Sequence, residues 1–258
     1  MDHPLVEAPA PLANMGEPIR RLDGVAKVTG KPIYAADTAE VVPLQAYFLT
    51  SGIARGQLLS IDTAPAEALD GVVKVYTHHN APGRIATPYT QKGGYASDTN
   101  MPLTGTEIRH DGQIIAMVVA ESYEVARDAS HRIAVRYAPE TPASTLDSPG
   151  VTLTHPEALA EKEKKVGDFA AAFAAAPVKA EGEYRTPPQH QNAIELYSTT
   201  ASWADGELTI HEPSQFVIEL ANGAAAMMGV DPSAVHVANP YIGGAFGNWG
   251  KTPGLTAF

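Results

Sequence analysis

The run from Gln113 to Tyr137 constrains the fold of this chain more than any other stretch. Gln113 to Ala120 is apolar without a break after its first residue, the composition of a strand covered on both faces. Ser122 then stands where a hydroxyl can cap a short helix running to Ser130, and Ile133 to Tyr137 reads as a strand again. Strand, helix and strand in so short a space predict a compact α+β unit. The residues before it extend the pattern: strands over Gln45 to Ile53, Gln57 to Thr63 and Val72 to Thr77, with a short helix over Ala64 to Leu69. Thr87 to Pro102, rich in Gly, Pro, Ser, Thr and Asn, has no periodicity and reads as a long loop.

Proline and small polar residues from Thr141 to Pro149 mark a linker, and composition changes beyond it. The expected organisation is an extended proline-rich arm over 1–16, a first domain over 17–140, a linker over 141–150 and a second unit over 151–258. In that second unit, the charges from Glu161 to Lys165 fit a solvated helix face ahead of an alanine-rich segment. Strands are expected over Val178 to Arg185, Ser198 to Trp203 and Glu207 to His211, the last two joined as a hairpin by Ala204-Asp205-Gly206. Phe216 to Met228 is apolar nearly all round and predicts a helix buried among other elements, with Met227 and Met228 as core filler. Thr252-Pro253 is a helix opening six residues from the last residue, Phe258, so the sequence reads as stopping inside an element.

Bulk charge narrows the partners. A formal net charge of -11 repels phosphate backbones and anionic lipid, which argues against nucleic acid. No apolar run approaches the roughly 20 residues of a membrane-spanning helix. Met1 to Pro11 lacks the basic start and apolar stretch of a signal peptide, so the expected location is cytoplasmic, or periplasmic by export with a signal-bearing partner. The chain has no cysteine, which excludes disulfides, thiolate zinc sites and cysteine-ligated iron–sulfur clusters within it. His78-His79 and the isolated His131, His155, His211 and His236 have no metal-ligand spacing, and no metal site is expected among them.

Several short motifs in a fixed order resemble one family. Gly16 to Asp37, with Arg21, Asp23-Gly24, Lys27-Val28-Thr29-Gly30 and Tyr34-Ala35-Ala36-Asp37, is similar to the opening of the molybdenum-binding large subunits of the xanthine dehydrogenase and aldehyde oxidase family. Ile53-Ala54-Arg55-Gly56, Ile61-Asp62, Gly71-Val72 and Gly112-Gln113 resemble the rest of that family's α/β hammerhead domain. Trp203-Ala204-Asp205-Gly206, Glu212-Pro213-Ser214-Gln215 and Gly243-Gly244-Ala245-Phe246-Gly247 resemble the first cofactor-facing part of its molybdenum-cofactor-binding domain. The resemblance therefore implies an α+β chain: a hammerhead domain followed by the first part of a molybdopterin-binding domain.

It also implies a chemistry and a set of partners. The activity would be hydroxylation of an aldehyde or an aromatic N-heterocycle with water as oxygen source, the hard chemistry belonging to a molybdenum–molybdopterin cofactor. The partners would be a 2Fe-2S subunit, a FAD-binding subunit and the remaining molybdenum-domain sequence. The family's glutamate base lies near its far C-terminus, so no catalytic residue is expected in these 258 residues and this portion alone is expected to be inactive. Asn248-Trp249-Gly250-Lys251 follows the glycine loop where purine oxidisers run directly into Gly-Lys-Glu, which favours aldehydes.

The cofactor-binding candidates are Gln215, Gly243, Gly244, Ala245, Phe246 and Gly247. By itself the glycine loop fits any tight turn, and it is not the dinucleotide pattern of G-x-G-x-x-G. In the family its backbone N–H groups and Phe246 would lie against the molybdenum centre, since backbone without side chains can donate to an anionic group unhindered. Gln215 alone is an ordinary polar residue at a helix start; in the family a glutamine here hydrogen-bonds the metal's oxo group, a task suited to a neutral amide. His190 and Glu195 resemble a His and Met-Glu-Pro stretch in which Ile194 and Leu196 replace Met and Pro, and a structural hydrogen-bond network is their expected role. A different class of reading stands beside the enzyme: a standalone assembly or cofactor-carrying module without turnover. The coding sequence immediately downstream would separate the two.

Overall fold

The computed structural model describes residues 16, 18, 20–38, 42–81, 102–152, 166–187 and 189–246. The expected loop from Thr87 to Met101, the charged run Glu161 to Lys165, Gly247, the helix opening at Thr252 and all of the proline-rich arm but Gly16 lie outside the described residues.

The first sheet is built on the apolar strand. Of the strands β1 (Gln45–Thr50), β3 (Val72–Thr77) and β5 (Ile114–Ala120), β5 lies in the centre and pairs antiparallel with both neighbours. Ala116, Val118 and Ala120 are buried, and so are Ala126 and Ala129 of helix α3 (Tyr123–Arg132) packed against the sheet. Alanine on both sides of that contact lets helix and sheet approach closely, while Val75, Val118 and Ile133 supply the larger apolar volume. The Ser122 hydroxyl accepts from the Val125 N–H at 3.2 Å, the expected cap. Between β1 and β3 run β2 (Gly56–Asp62) and the short helix α2 (Ala64–Glu67), whose Ala66 enters the same core. The second sheet, in the order β4 (Glu107–Ile108), β2, β6 (Ala134–Pro139), closes over Leu58, Ile108 and Ile115.

The third sheet has the order β7 (Thr200–Ala204), β8 (Glu207–His211), β9 (Val235–Ala238). The β7–β8 hairpin turns on Asp205 and Gly206 at φ 52° and 87°, both left-handed, the primed turn that matches strand twist. β8 and β9 are parallel, so the chain must cross over between them, and helix α5 (Val217–Met228) does so after α4 (Phe169–Ala175) and the earlier helix α1 (Gly24–Val28) have been passed in the sequence. Leu208, Ile210, Ala224, Ala225 and Val235 form its core.

Two expectations need correction. Val178 to Arg185 forms no strand: its residues are exposed and pair with nothing in a sheet, Val178 and Tyr184 being 85% and 92% exposed. The face that alternation would bury there is Val178, Ala180, Gly182, Tyr184, too little apolar area to offset the ordering of an edge strand. Helix α5 is not buried all round. Ala224 and Ala225 pack on the sheet and Leu220 and Met227 are buried, while Phe216, Val217, Ile218 and Met228 remain exposed.

Candidate functional site

Because β8 and β9 are parallel and in register from Leu208↔Val235 to His211↔Ala238, the loops that follow them leave the same end of the sheet. Gln215 lies in the loop after β8, and Gly243 to Phe246 in the loop after β9. β7 is antiparallel to β8, with Thr200 opposite His211, so the segment that enters β7, including Glu195, arrives at that same end. Three segments distant in sequence thus converge at the carboxyl ends of the parallel pair, where open α/β sheets place their ligands.

Hydrogen bonds lock the convergence. Asn239 Nδ2 donates to the Ser214 carbonyl at 2.5 Å, tying the loop after β9 to the residue before Gln215. The Gly243 N–H donates to Glu195 Oε2 at 2.6 Å, and the Glu195 N–H donates back to the Gly243 carbonyl at 3.3 Å. A Cβ on residue 243 would stand 2.4 Å from Glu195 Cβ, so only glycine permits this approach. Gly244 at φ 119° occupies backbone that other residues rarely adopt. Phe246 holds φ 46° with its ring 73% exposed; a bulky side chain in left-handed backbone costs on the order of 1–3 kcal/mol and is characteristic of ligand-contacting loops.

The opening segment reaches the same region. Thr200 Oγ1 donates to the Ala35 carbonyl at 2.9 Å, the rings of Tyr34 and Tyr241 meet edge-on at 6.4 Å, and Lys27 Nζ sits 5.9 Å from the centre of the Tyr241 ring. None of these contacts is legible from sequence, since each joins residues with no local pattern between them. Gln215 and Gly243 to Phe246 are thus brought to one end of one sheet, with the Gln215 side chain exposed. His190 is exposed, whereas Glu195, with which it was paired by motif, is partly buried on the glycine loop.

Gln215 supplies a neutral amide donor in the open, and beside it the Gly243 to Phe246 loop is held in place, the Gly243 N–H and carbonyl both engaged by Glu195. Such a donor set fits a large polar, anionic cofactor. A concavity of about 490 Å³ lies on the first unit between Arg55, Glu107, Arg109 and Glu140, away from that site. Two of its ion pairs are Arg55 with Glu140 at 3.1 Å and Arg109 with Glu107 at 2.7 Å, and it holds none of the convergent groups.

Known proteins bear on this geometry. Residues 29–141 match the family described as aldehyde oxidase and xanthine dehydrogenase, a/b hammerhead domain, and residues 152–257 match the molybdopterin cofactor-binding domain. The aldehyde oxidoreductase molybdenum-binding subunit PaoC of Escherichia coli K12 is 35% identical over 249 residues, which cover 95% of this chain and 33% of that protein. A putative xanthine dehydrogenase molybdenum-binding subunit, XdhA, of the same organism is 27% identical, covering 88% of this chain and 32% of the relative. Among solved structures, the reconstituted CO dehydrogenase of Oligotropha carboxidovorans superposes with a TM-score of 0.76 at 26% identity, over 92% of this chain and 32% of that one. The chain spans about a third of the length of these relatives. With two family matches running in order from residue 29 to residue 257, and molybdenum-binding subunits that align over 88–95% of it, the chain belongs to the molybdenum-binding subunits of the xanthine dehydrogenase and aldehyde oxidase family.

Proposed function

We propose that this chain forms one wall of a molybdenum–molybdopterin site in an oxidoreductase that hydroxylates aldehydes or aromatic N-heterocycles with water as the oxygen source. The observation that carries the reading is the convergence of Gln215 and the Gly243–Phe246 loop at the carboxyl ends of β8 and β9. The bound cofactor would supply the redox chemistry. The chain's own part is to orient and to donate: Gln215 offers an amide N–H to an oxygen of the metal group, and the Gly243 to Phe246 loop, held by Glu195, forms the wall beside it. Phe246, exposed and conformationally constrained, shapes the apolar side of the site and helps to exclude water.

Exposed apolar side chains around this end of the sheet, Ile194, Leu196, Phe216 and Ile218, support a further part of the reading. They give the remaining molybdenum-domain sequence a surface to cover. A 2Fe-2S subunit and a FAD-binding subunit would carry electrons away, in keeping with a chain without cysteine and with relatives described as subunits.

Gln215→Ala in the assembled enzyme tests the reading. Folding should be unaffected, since the side chain is exposed and precedes the helix, and its loss should change stability by no more than roughly 0.5 kcal/mol. Single-turnover reduction by an aldehyde should fall by about 10²–10³, the usual effect of losing one preorganised donor. Unchanged reduction at full molybdenum loading would remove Gln215 from the site.

A further inference from the structure

We infer that Glu195 is the positioning residue of this site: it holds the Gly243–Gly244 backbone in the one conformation that can face the cofactor. The inference rests on the cofactor reading of that loop. Three observations carry it. Glu195 and residue 243, 48 positions apart, exchange two hydrogen bonds, one of them from Gly243 N–H to the carboxylate at 2.6 Å. The approach is so close that a Cβ at 243 would collide with Glu195 Cβ at 2.4 Å. Third, the Glu195 carboxylate is turned inward. Ile194 and Leu196 are 96% and 81% exposed, while Glu195 between them turns inward, and its Oε1 is buried with no hydrogen-bond partner among the described residues.

Withdrawing a carboxylate from water costs free energy unless hydrogen bonds compensate it. Here a carboxylate is withdrawn from solvent with one oxygen uncompensated, and its other oxygen meets the backbone of the glycine loop. What this arrangement yields is a fixed direction for the peptide groups of Gly243 and Gly244. Glu195 touches neither substrate nor metal in this scheme; it acts through the loop.

The test compares Glu195→Ala, Glu195→Gln and Gly243→Ala in the assembled holoenzyme by two readouts that need no turnover. One is amide hydrogen exchange of the segment 239–246, the other the pterin released per folded subunit and measured by its fluorescence. Glu195→Ala should speed exchange in that segment by about tenfold and lower bound pterin several-fold, while the amides of β5 stay unchanged. Glu195→Gln, whose amide oxygen can still accept from Gly243, should recover most of both losses. If Glu195→Ala does not fold, Gly243→Ala presses on the same contact from the loop side and should give the same two losses. Unaltered exchange in Glu195→Ala or, failing that, Gly243→Ala overturns the inference. So does faster exchange with full pterin content, or a Glu195→Gln variant no better than alanine. Absence of pterin from the unsubstituted holoenzyme is a different failure: it removes the cofactor reading of the loop, and the positioning role with it.

Discussion

Asp23 lies between two cations in the opening segment, with Arg21 Nε at 2.5 Å and Lys27 Nζ at 2.9 Å. The hydrogen bond from Arg21, with that from Lys27, holds its carboxyl down to about 2 from the ordinary 3.8. A folded value below the unfolded one means that the pair's contribution is complete above about 3.8 and is lost as pH falls through about 2. Solvent reaches the pair, the Arg21 side chain being 71% exposed, so the contribution to stability is small and salt weakens it. An NMR titration of the Asp23 carboxyl at low ionic strength should give a midpoint near 2, and a midpoint at 3.8 would show that the pair does not persist in solution. Lys27 also faces the Tyr241 ring, so this local charge triad helps to dock the segment beside the candidate site. Gln215 and Gly243 to Phe246 were nameable from sequence because their types and order resemble a family pattern. The tether from Asn239 to Ser214 was not, because nothing local marks an asparagine that bonds a carbonyl 25 positions away.

At the scale of elements, the strands whose sequence matched a single environment formed as expected. β3 and β8 match their expected spans, and β5 and α3 differ from theirs by a residue or two at the ends. The expected strand at Val178 to Arg185 failed because period-two alternation is necessary for a half-buried strand but does not create a partner for it. Between β6 and α4 the described residues 140–152 hold no helix or strand, and nearly all are exposed. Thr145 N–H donates to Ser148 Oγ at 3.0 Å in a local turn, and Leu146 is 80% exposed. We propose the boundary between two folding units at 141–150. Thermolysin should therefore cut first near Leu146, leaving fragments that each resist further cleavage. Initial cuts within Gln113 to Tyr137 would falsify that boundary.

For the whole molecule the ruling fact is proportion: the chain spans about a third of the length of its relatives, and three of its segments meet at the candidate site. We propose that the 258-residue chain alone neither retains molybdenum cofactor nor oxidises an aldehyde. One wall can orient one face of a cofactor, but affinity and turnover need the remaining contacts and a base in fixed geometry. Metal analysis of the purified chain should find molybdenum far below one per chain, with no aldehyde-dependent dye reduction. Stoichiometric molybdenum with turnover would overturn this.

The spans of β3, β5, α3 and β8 and the cysteine-free composition were legible in sequence alone, and the candidate site residues were chosen from it, because each depends on residue type and near-neighbour spacing. The pairing of β8 with β9 in parallel, the inward turn of Glu195 between exposed Ile194 and Leu196, and the seating of Tyr34 on Tyr241 were decided only by tertiary structure. Each of those joins residues far apart in the chain, and the free energy of such a contact depends on what else is packed around it, so no window of sequence contains it.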